Sequence, residues 1–252
     1  MRLVLICVLF IFSTSCAVFA PRSTTKKDEK SQLHLKLGTA HYSNQKYHRA
    51  LKEFMTADEL SPNDPLILTN LGIAYFALNR LPLGEKMIRR ALKISPKYTD
   101  ARVNLAKVQI EMGLYEMAIN NLKICENDLT YTDTDNINYH YGLALFKLRN
   151  LNEAEDKFKL TLSKQPKHCY AMLYYGRTLF EKKNYRTASE SLDEAIGLCD
   201  GFKLDDAHFY SALSHYKINN LQTTTSRLQE LLELYPNTGF ATDAKKILRL
   251  IK

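Results

Sequence analysis

The sequence of 252 residues lacks the short motifs that mark most nucleotide-binding and hydrolytic sites. It contains no G-x-x-x-x-G-K-[ST] phosphate loop, no G-x-G-x-x-G turn, no G-x-S-x-G nucleophile elbow and no H-E-x-x-H zinc motif. His34 and His41 would share a helix face but lie about 10 Å apart along it, too far to share one metal ion. We therefore expect a protein that is not an enzyme, with no catalytic residue, cofactor, metal site or small-molecule substrate.

A block of charge of one sign is also missing. The chain carries 35 lysine and arginine residues against 27 aspartate and glutamate residues, a formal net charge of +8, and the two signs are intermixed. Nucleic-acid-binding chains usually concentrate their basic residues in a patch or stripe. We expect no nucleic-acid partner, although weak attraction to anionic lipid or to an acidic partner is compatible with this charge.

The chain lacks an uninterrupted apolar run of the roughly 20 residues that a membrane-spanning helix needs. Its longest run, Leu3–Phe12, follows the basic Arg2 and precedes the small residues Ser13–Ser15. That order is typical of a secretory signal peptide. Extending the run to Ala20 gives a marginal span, so an uncleaved N-terminal membrane anchor is an alternative.

Two cleavage sites compete after this run. An ordinary signal peptidase could cut after Ala20, although Pro21 would then begin the product. The stretch Ser13–Cys16 resembles the bacterial lipoprotein box, in which small residues precede a cysteine. The resemblance implies that Cys16 becomes the mature N-terminus and carries diacylglycerol and palmitate. Since Ala17 is not aspartate, it also implies sorting to the outer membrane, facing the periplasm.

On this interpretation the chain starts with two segments outside any folded domain. Residues 1–15 form a lipoprotein-type signal peptide, and residues 16–30 form the lipidated N-terminus and its tether. Within the tether, PRSTTKKDEK is polar and charged, without large apolar side chains. Such composition cannot build a packed core, so the segment is expected to be flexible.

A unit of about 34 residues repeats along the rest of the chain. Prolines recur at intervals of 34 or 70 residues, at Pro62, Pro96, Pro166 and Pro236. Glycines recur in the same way, at Gly38, Gly72, Gly142 and Gly176. These periods divide the chain into six units, 31–64, 65–98, 99–132, 135–168, 169–202 and 205–238.

The units resemble tetratricopeptide repeats (TPRs). The stretch LHLKLGTAHYSNQKYHRALKEFMTADELSP matches the signature of a first helix with L-G-x-x-Y/L and a second with A-x-x-x-F, A and P. Small residues let the two helices approach closely, and proline ends the second helix because it has no N–H group. The resemblance implies an all-α, right-handed superhelical solenoid of six helix hairpins, and residues 239–252 predict a C-terminal capping helix.

The first helix of each repeat lines a concave groove in solenoids of this kind. Its fifth, ninth and twelfth unit positions point into the groove, with Lys107 and Arg177 as polar exceptions. The apolar residues at these positions are Leu35, Tyr42, Ile73, Phe76, Val103, Ile110, Tyr139, Leu143, Phe146, Leu173, Phe180, Phe209 and Tyr216. Contiguous apolar surface usually marks an interaction site. We predict that the groove binds a segment of a partner protein; mutual packing of these side chains is the alternative.

Three cysteines belong to the repeats. Cys125 takes the place of a small alanine and is expected to pack in the core. Cys169 opens the first helix of the fifth repeat and Cys199 closes the second, so an antiparallel hairpin brings them side by side. Either a disulfide joins them, as an oxidising periplasm allows, or they are two free thiols.

The layout as a whole resembles the type IV pilus biogenesis lipoproteins, or pilotins (PilF/PilW/Tgl-like). The stretches ALKISPKYTDARVNLAKVQIEMGLYEMAINNLKICENDLTY and YYGRTLFEKKNYRTASESLDEAIGLC carry the resemblance within the repeats. It implies an outer-membrane lipoprotein that binds secretin subunits through its groove and promotes their outer-membrane localisation and multimerisation. The alternatives are a periplasmic scaffold for another envelope complex, such as cell-wall enzymes or outer-membrane protein assembly, and a repeat domain that serves a separate hydrolase.

Overall fold

The computed structural model describes residues 26–199, 201 and 203–251, and within these ranges the chain forms thirteen α-helices and no β-strand. Twelve helices form six consecutive pairs, and the thirteenth follows the last pair. The predicted all-α class is confirmed. The helices are α1 (Lys26–Ser43), α2 (Tyr47–Leu60), α3 (Pro65–Ala77), α4 (Leu81–Ile94), α5 (Thr99–Glu111), α6 (Tyr115–Glu126), α7 (Thr134–Lys147), α8 (Leu151–Lys164), α9 (Cys169–Glu181), α10 (Tyr185–Leu198), α11 (Asp205–Lys217), α12 (Leu221–Leu234) and α13 (Gly239–Leu250).

The same backbone turn joins the two helices of every pair. The residue at the fifteenth unit position has a positive φ between 57° and 76° in all six repeats, at Gln45, Asn79, Gly113, Arg149, Lys183 and Asn219. A left-handed residue commonly ends an α-helix, and glycine and asparagine adopt that conformation most readily. Only half of these positions hold glycine or asparagine, so packing of the hairpin contributes to the turn as much as residue type does.

Glycine at the eighth unit position lets paired helices approach closely. A Cβ atom added to Gly72 would lie 2.3 Å from Cγ1 of Ile88, and one added to Gly38 would lie 2.4 Å from the ring of Phe54. These distances are well inside van der Waals contact, so the absent side chain makes room for the large one opposite. That large residue is buried in every repeat: Phe54, Ile88, Leu122, Phe158, Leu192 and Leu228.

Neighbouring pairs stack so that each repeat covers the next. The residue at the third unit position is at most 1% exposed in repeats two to six, at Ile67, Ala101, Ile137, Ala171 and Ala207. The equivalent Leu33 of the first repeat is 55% exposed, since no described helix precedes it. At the other end α13 packs against α11 and α12 and buries Ala241 and Ala244. The helix predicted over residues 239–252 is present as α13, and it ends at Leu250.

The predicted tether extends too far towards the repeats. Residues 16–30 were expected to be flexible, yet α1 begins at Lys26 and runs for 18 residues. Asp28 and Glu29 lie in its first turn, where carboxylates stabilise the positive end of the helix dipole. The polar composition of this stretch indicated flexibility, whereas the order of its charges favours a helix.

Several features expected from the sequence lie outside the described residues. They are the signal peptide over residues 1–15, the lipidation site Cys16 and the part of the tether up to residue 25. Phe202 and Lys252, the predicted last residues of the fifth repeat and of the capping segment, lie outside them too. Of the helices that are described, none has the length and apolar composition needed to span a bilayer.

Candidate partner-binding groove

The first helices of the repeats form the inner wall of the solenoid. Along the described chain, each of α1, α3, α5, α7 and α9 contacts the first helix of the next repeat, whereas no second helix contacts the second helix of the next repeat. The first helices are therefore closer together, which places them on the concave side. The predicted groove lies on this wall.

Seven of the thirteen residues predicted to line the groove are buried instead. Each is at most 9% exposed: Leu35, Val103, Ile110, Leu143, Phe146, Leu173 and Phe209. The prediction of a continuous, accessible apolar wall is wrong at these positions. They belong to the hydrophobic clusters that hold the repeats together, because the neighbouring first helix covers them.

The other six residues keep accessible surface. Tyr216 is 44% exposed, and the rest are half-buried: Tyr42, Ile73, Phe76, Tyr139 and Phe180. The predicted set therefore divides into a buried part, which stabilises the fold, and an accessible part, which could contact a partner.

In repeats four to six the aromatic side chains of the wall contact one another. The ring centres of Phe146 and Tyr174 are 5.5 Å apart, and those of Phe180 and Tyr210 are 5.2 Å apart, both with edge-to-face geometry. Phe240 of α13 continues the series at 6.1 Å from Tyr210. Such pairs are favourable in themselves. The aromatic side chains in this half of the wall therefore contact one another over much of their surface.

Arg177 lies among these rings and has an internal partner. Its guanidinium carbon is 4.6 Å from the ring centre of Tyr210 and 5.2 Å from that of Phe146. Its Nη1 donates to Oδ2 of Asp206 at 3.2 Å. Burial raises the pKa of Asp206, and the charge of Arg177 opposes that shift. The cation is thus held by one carboxylate and by aromatic faces.

The wall of repeats one to three is open. A cavity of about 120 Å³ lies between α1, α3 and α5, lined by Tyr42, Ile73, Phe76, Ile88, Asn104, Lys107 and Val108. Most of these lining residues are apolar, and Lys107 is the one charged residue among them. The cavity can take up an apolar side chain of a partner.

Two half-buried titratable groups occupy the centre of the wall. Burial lowers the pKa of Lys107, and the negative charges of Asp133 and Asp100 partly offset this shift. Burial also lowers the pKa of His140 to about 3, and the charge of Lys107 adds to that shift. The imidazole of His140 is therefore uncharged at neutral pH. Of the two groups, Lys107 is the one that carries a charge at the centre of the wall.

The sequence-based prediction missed the sixth unit position. In repeats three to six it is occupied by Asn104, His140, Tyr174 and Tyr210, which line the cavity or contact neighbouring aromatic rings. The helical period could have identified this position. Position six is four residues after position two and three before position nine, so the three positions share one helix face. The prediction used position five instead, and most residues at that position point towards the core.

The cysteines of the repeats have separate roles. Cys169, at the start of α9, and Cys199, directly after α10, form a disulfide with Cα atoms 5.6 Å apart. Cys125 is free and buried, and burial raises the pKa of its thiol to about 11. Its thiol is therefore protonated, as expected of a packing residue. In the part of the chain that the structure describes, no group of three or more His, Cys, Asp or Glu residues could hold a metal ion.

Comparison with known families supports the repeat architecture. Two family models of the tetratricopeptide repeat match the chain, over residues 35–120 and 206–238. Together with the six stacked hairpins described above, these matches establish a TPR solenoid.

Two solved structures resemble nearly the whole chain. PilF of Pseudomonas aeruginosa superposes with a TM-score of 0.76 at 17% identity, covering 88% of this chain and 99% of PilF. PilW, a widely conserved type IV pilus biogenesis factor, superposes with a TM-score of 0.77 at 17% identity, covering 86% of this chain and 98% of PilW. At this identity the likeness shows a common fold.

Curated relatives match a smaller part of the chain. The peroxisomal targeting signal receptor of Kluyveromyces lactis is 33% identical over 91 residues, which is 36% of this chain and 16% of the receptor. The chain thus spans about a sixth of the length of the curated relatives it matches.

Proposed function

We propose that the chain is an outer-membrane lipoprotein that assists type IV pilus assembly. On this proposal it binds secretin subunits through its groove and promotes their outer-membrane localisation and multimerisation. The observation that carries the proposal is the correspondence of nearly the whole chain with nearly the whole of PilF and PilW. The N-terminal sequence supports it, because an apolar run and small residues precede Cys16.

In the proposed mechanism the lipid determines location and the groove determines binding. Lipidation contributes about 0.8 kcal/mol for each buried methylene, and stable anchoring takes more than one acyl chain or a second signal. The secretin segment enters the open half of the groove, where Tyr42, Ile73 and Phe76 are accessible. We place the segment there because several aromatic side chains of repeats four to six already contact one another.

One experiment with two variants tests this function. Phe76→Glu places a charge in the apolar cavity and should weaken co-purification with secretin roughly tenfold or more, with circular dichroism still helical. Cys16→Ala should remove palmitate labelling and release the protein from the outer-membrane fraction. Leu160→Glu, which alters an exposed leucine of the second helix α8, is the matched control.

The negative outcomes are distinct. Unchanged secretin binding by a folded Phe76→Glu variant rejects the groove as the binding surface. Unchanged fractionation of Cys16→Ala rejects the lipid anchor. Co-purification with cell-wall enzymes or with outer-membrane protein assembly factors in place of secretin would identify the chain as a scaffold for that complex. Phe146→Glu is unsuitable for this test, because Phe146 is buried and its replacement would disrupt the fold.

A further inference from the structure

Lys107 is the cation that lines the cavity in the open half of the groove. Its side chain lines the cavity together with Tyr42, Ile73 and Phe76, and it is half-buried. Within the described residues, no ion pair or hydrogen bond holds its ammonium group. A lysine that is only partly solvated and lies in a mostly apolar cavity lacks the partner that buried charges usually have.

The two carboxylates that act on Lys107 through space are engaged elsewhere. Asp100 accepts a hydrogen bond from the Tyr131 hydroxyl at 3.1 Å, and Asp133 accepts one from the Asn136 side-chain amide at 3.0 Å. Their charges favour the ammonium form, but burial has the larger effect and lowers the pKa of Lys107. The ammonium has therefore lost part of its hydration without gaining a contact partner, and an incoming carboxylate would supply one.

Arg177 is a cation on the same wall that is paired with a carboxylate of the chain. It occupies the ninth unit position, as Lys107 does, two repeats further along the chain. Its guanidinium contacts Asp206 and lies over the ring of Tyr210. At the ninth unit position the wall therefore carries one cation that is paired within the chain and one that is not. Ligand binding is assigned to the unpaired cation.

The surroundings of Lys107 limit what the carboxylate can belong to. The cavity beside it accepts a large apolar side chain. Asn104, one helical turn earlier, donates one amide hydrogen to the carbonyl of Asp100 at 2.8 Å and keeps the second for a ligand oxygen. Beyond α5 the wall continues into α7, α9 and α11, so a bound chain can run past the cavity on that side. This favours an acidic side chain within a segment over the carboxylate of a chain end.

We infer that Lys107 and Asn104 form a carboxylate subsite, which recognises an aspartate or glutamate next to a large apolar residue in the partner segment. The inference rests on the proposed function, because it defines the chemistry of the segment that the groove holds. The ammonium donates a charge-assisted hydrogen bond to the carboxylate, and the apolar neighbour fills the cavity. A segment without the acidic residue leaves Lys107 covered and unpaired, which makes the subsite a source of specificity.

Two synthetic peptide libraries test the subsite. Both consist of random hexapeptides with acetylated N-termini; one library ends in an amide and the other in a free carboxylate. With the full chain as bait, the amidated library should be enriched in peptides that place Asp or Glu beside Phe, Tyr, Leu or Ile. Enrichment confined to the free-carboxylate library, or enrichment of peptides without an acidic residue, would overturn the inference.

The most enriched amidated peptide is then titrated against variants by fluorescence anisotropy. Lys107→Gln should weaken binding roughly tenfold or more, as expected for loss of a hydrogen bond to a charged group, while Lys107→Arg should retain most of the affinity. Lys147→Gln, which removes an exposed lysine at the end of α7, is the matched control and should change affinity by less than about threefold. Equal affinity of the original chain and Lys107→Gln contradicts the subsite.

The result can be separated from that of the secretin experiment. If Phe76→Glu abolishes secretin binding and Lys107→Gln changes neither peptide nor secretin binding, the groove function stands and the subsite is wrong. If secretin does not bind but acidic peptides bind in a manner that depends on Lys107, the subsite stands and the proposed partner is wrong.

Discussion

Glycine at the eighth unit position sets how closely the two helices of a repeat approach, and the residue opposite sets the cost of replacing it. A methyl group on Gly38 would meet the ring of Phe54 at 2.4 Å, whereas one on Gly176 would meet a leucine side chain at 2.6 Å. A phenyl ring between two helices moves as a rigid unit, while leucine has other rotamers. The third repeat already pairs alanine with leucine at these positions, in Ala106 and Leu122.

We predict that Gly38→Ala destabilises the protein by about 1–3 kcal/mol, as overpacking does, and that Gly176→Ala costs less. Gly197→Ala is the matched control, because Gly197 lies within α10 and an added methyl group has no neighbour within 4 Å. It should be neutral or should stabilise the helix by up to about 1 kcal/mol. Urea denaturation followed by circular dichroism measures all three. Equal losses for Gly38→Ala and Gly197→Ala would show that the close approach is unimportant.

The groove shows which residue-level properties were predictable. The repeat pattern assigned Leu173 and Phe180 to the inner face, and both lie on α9, which forms part of that wall. Their burial differs, since Leu173 is 2% exposed and Phe180 is half-buried among other aromatic rings. Burial depends on side chains contributed by the adjacent repeat, and the pattern of a single repeat does not contain that information. Lys107 was recognisable as a polar exception, but its lack of a partner required coordinates.

At the scale of helices, the positions of turns and prolines in the sequence predicted most of the helix boundaries. Each second helix that precedes Pro62, Pro96, Pro166 or Pro236 ends two residues before it. The first helix was the exception, because α1 starts at Lys26 within a stretch whose composition resembles a tether. Composition indicates whether a segment can build a core of its own. The first residues of α1 do not need one, because they continue a helix whose later residues are already packed against the repeat.

The disulfide between Cys169 and Cys199 ties together the two ends of the α9–α10 hairpin. A cross-link between residues 30 apart in sequence reduces the freedom of the unfolded chain. We predict that the double variant Cys169→Ala/Cys199→Ala is less stable by about 2–4 kcal/mol, the usual effect of such a bond. Urea denaturation measures the loss. A reducing agent should destabilise the original chain and leave the double variant unaffected; no response of the original chain would mean that the thiols are free.

At the scale of the whole molecule, the two ends of the solenoid differ. At the N-terminal end Leu33 and Leu37 are 55% and 42% exposed, while Leu71 and Leu105, equivalent to Leu37, are at most 3% exposed. At the C-terminal end α13 covers the last repeat. Each repeat of a solenoid is stabilised mainly by its neighbours, so the ends are the weakest points of the stack. The covering helix should therefore determine how the C-terminal end opens.

We predict that truncation after Thr238 loosens the last repeat and leaves the first two unchanged. Truncation removes the buried Ala241 and Ala244 and the ring of Phe240, which stacks on Phe209 at 4.9 Å. Hydrogen exchange should accelerate in α11 and α12, because their covering apolar surface is lost, and should not change in α1 to α4. Leu250→Ser is the matched control, since Leu250 is 83% exposed at the end of α13. Faster exchange throughout the chain would show that the solenoid opens as one cooperative unit, and unchanged exchange in α11 and α12 would show that α13 does not act as a cap.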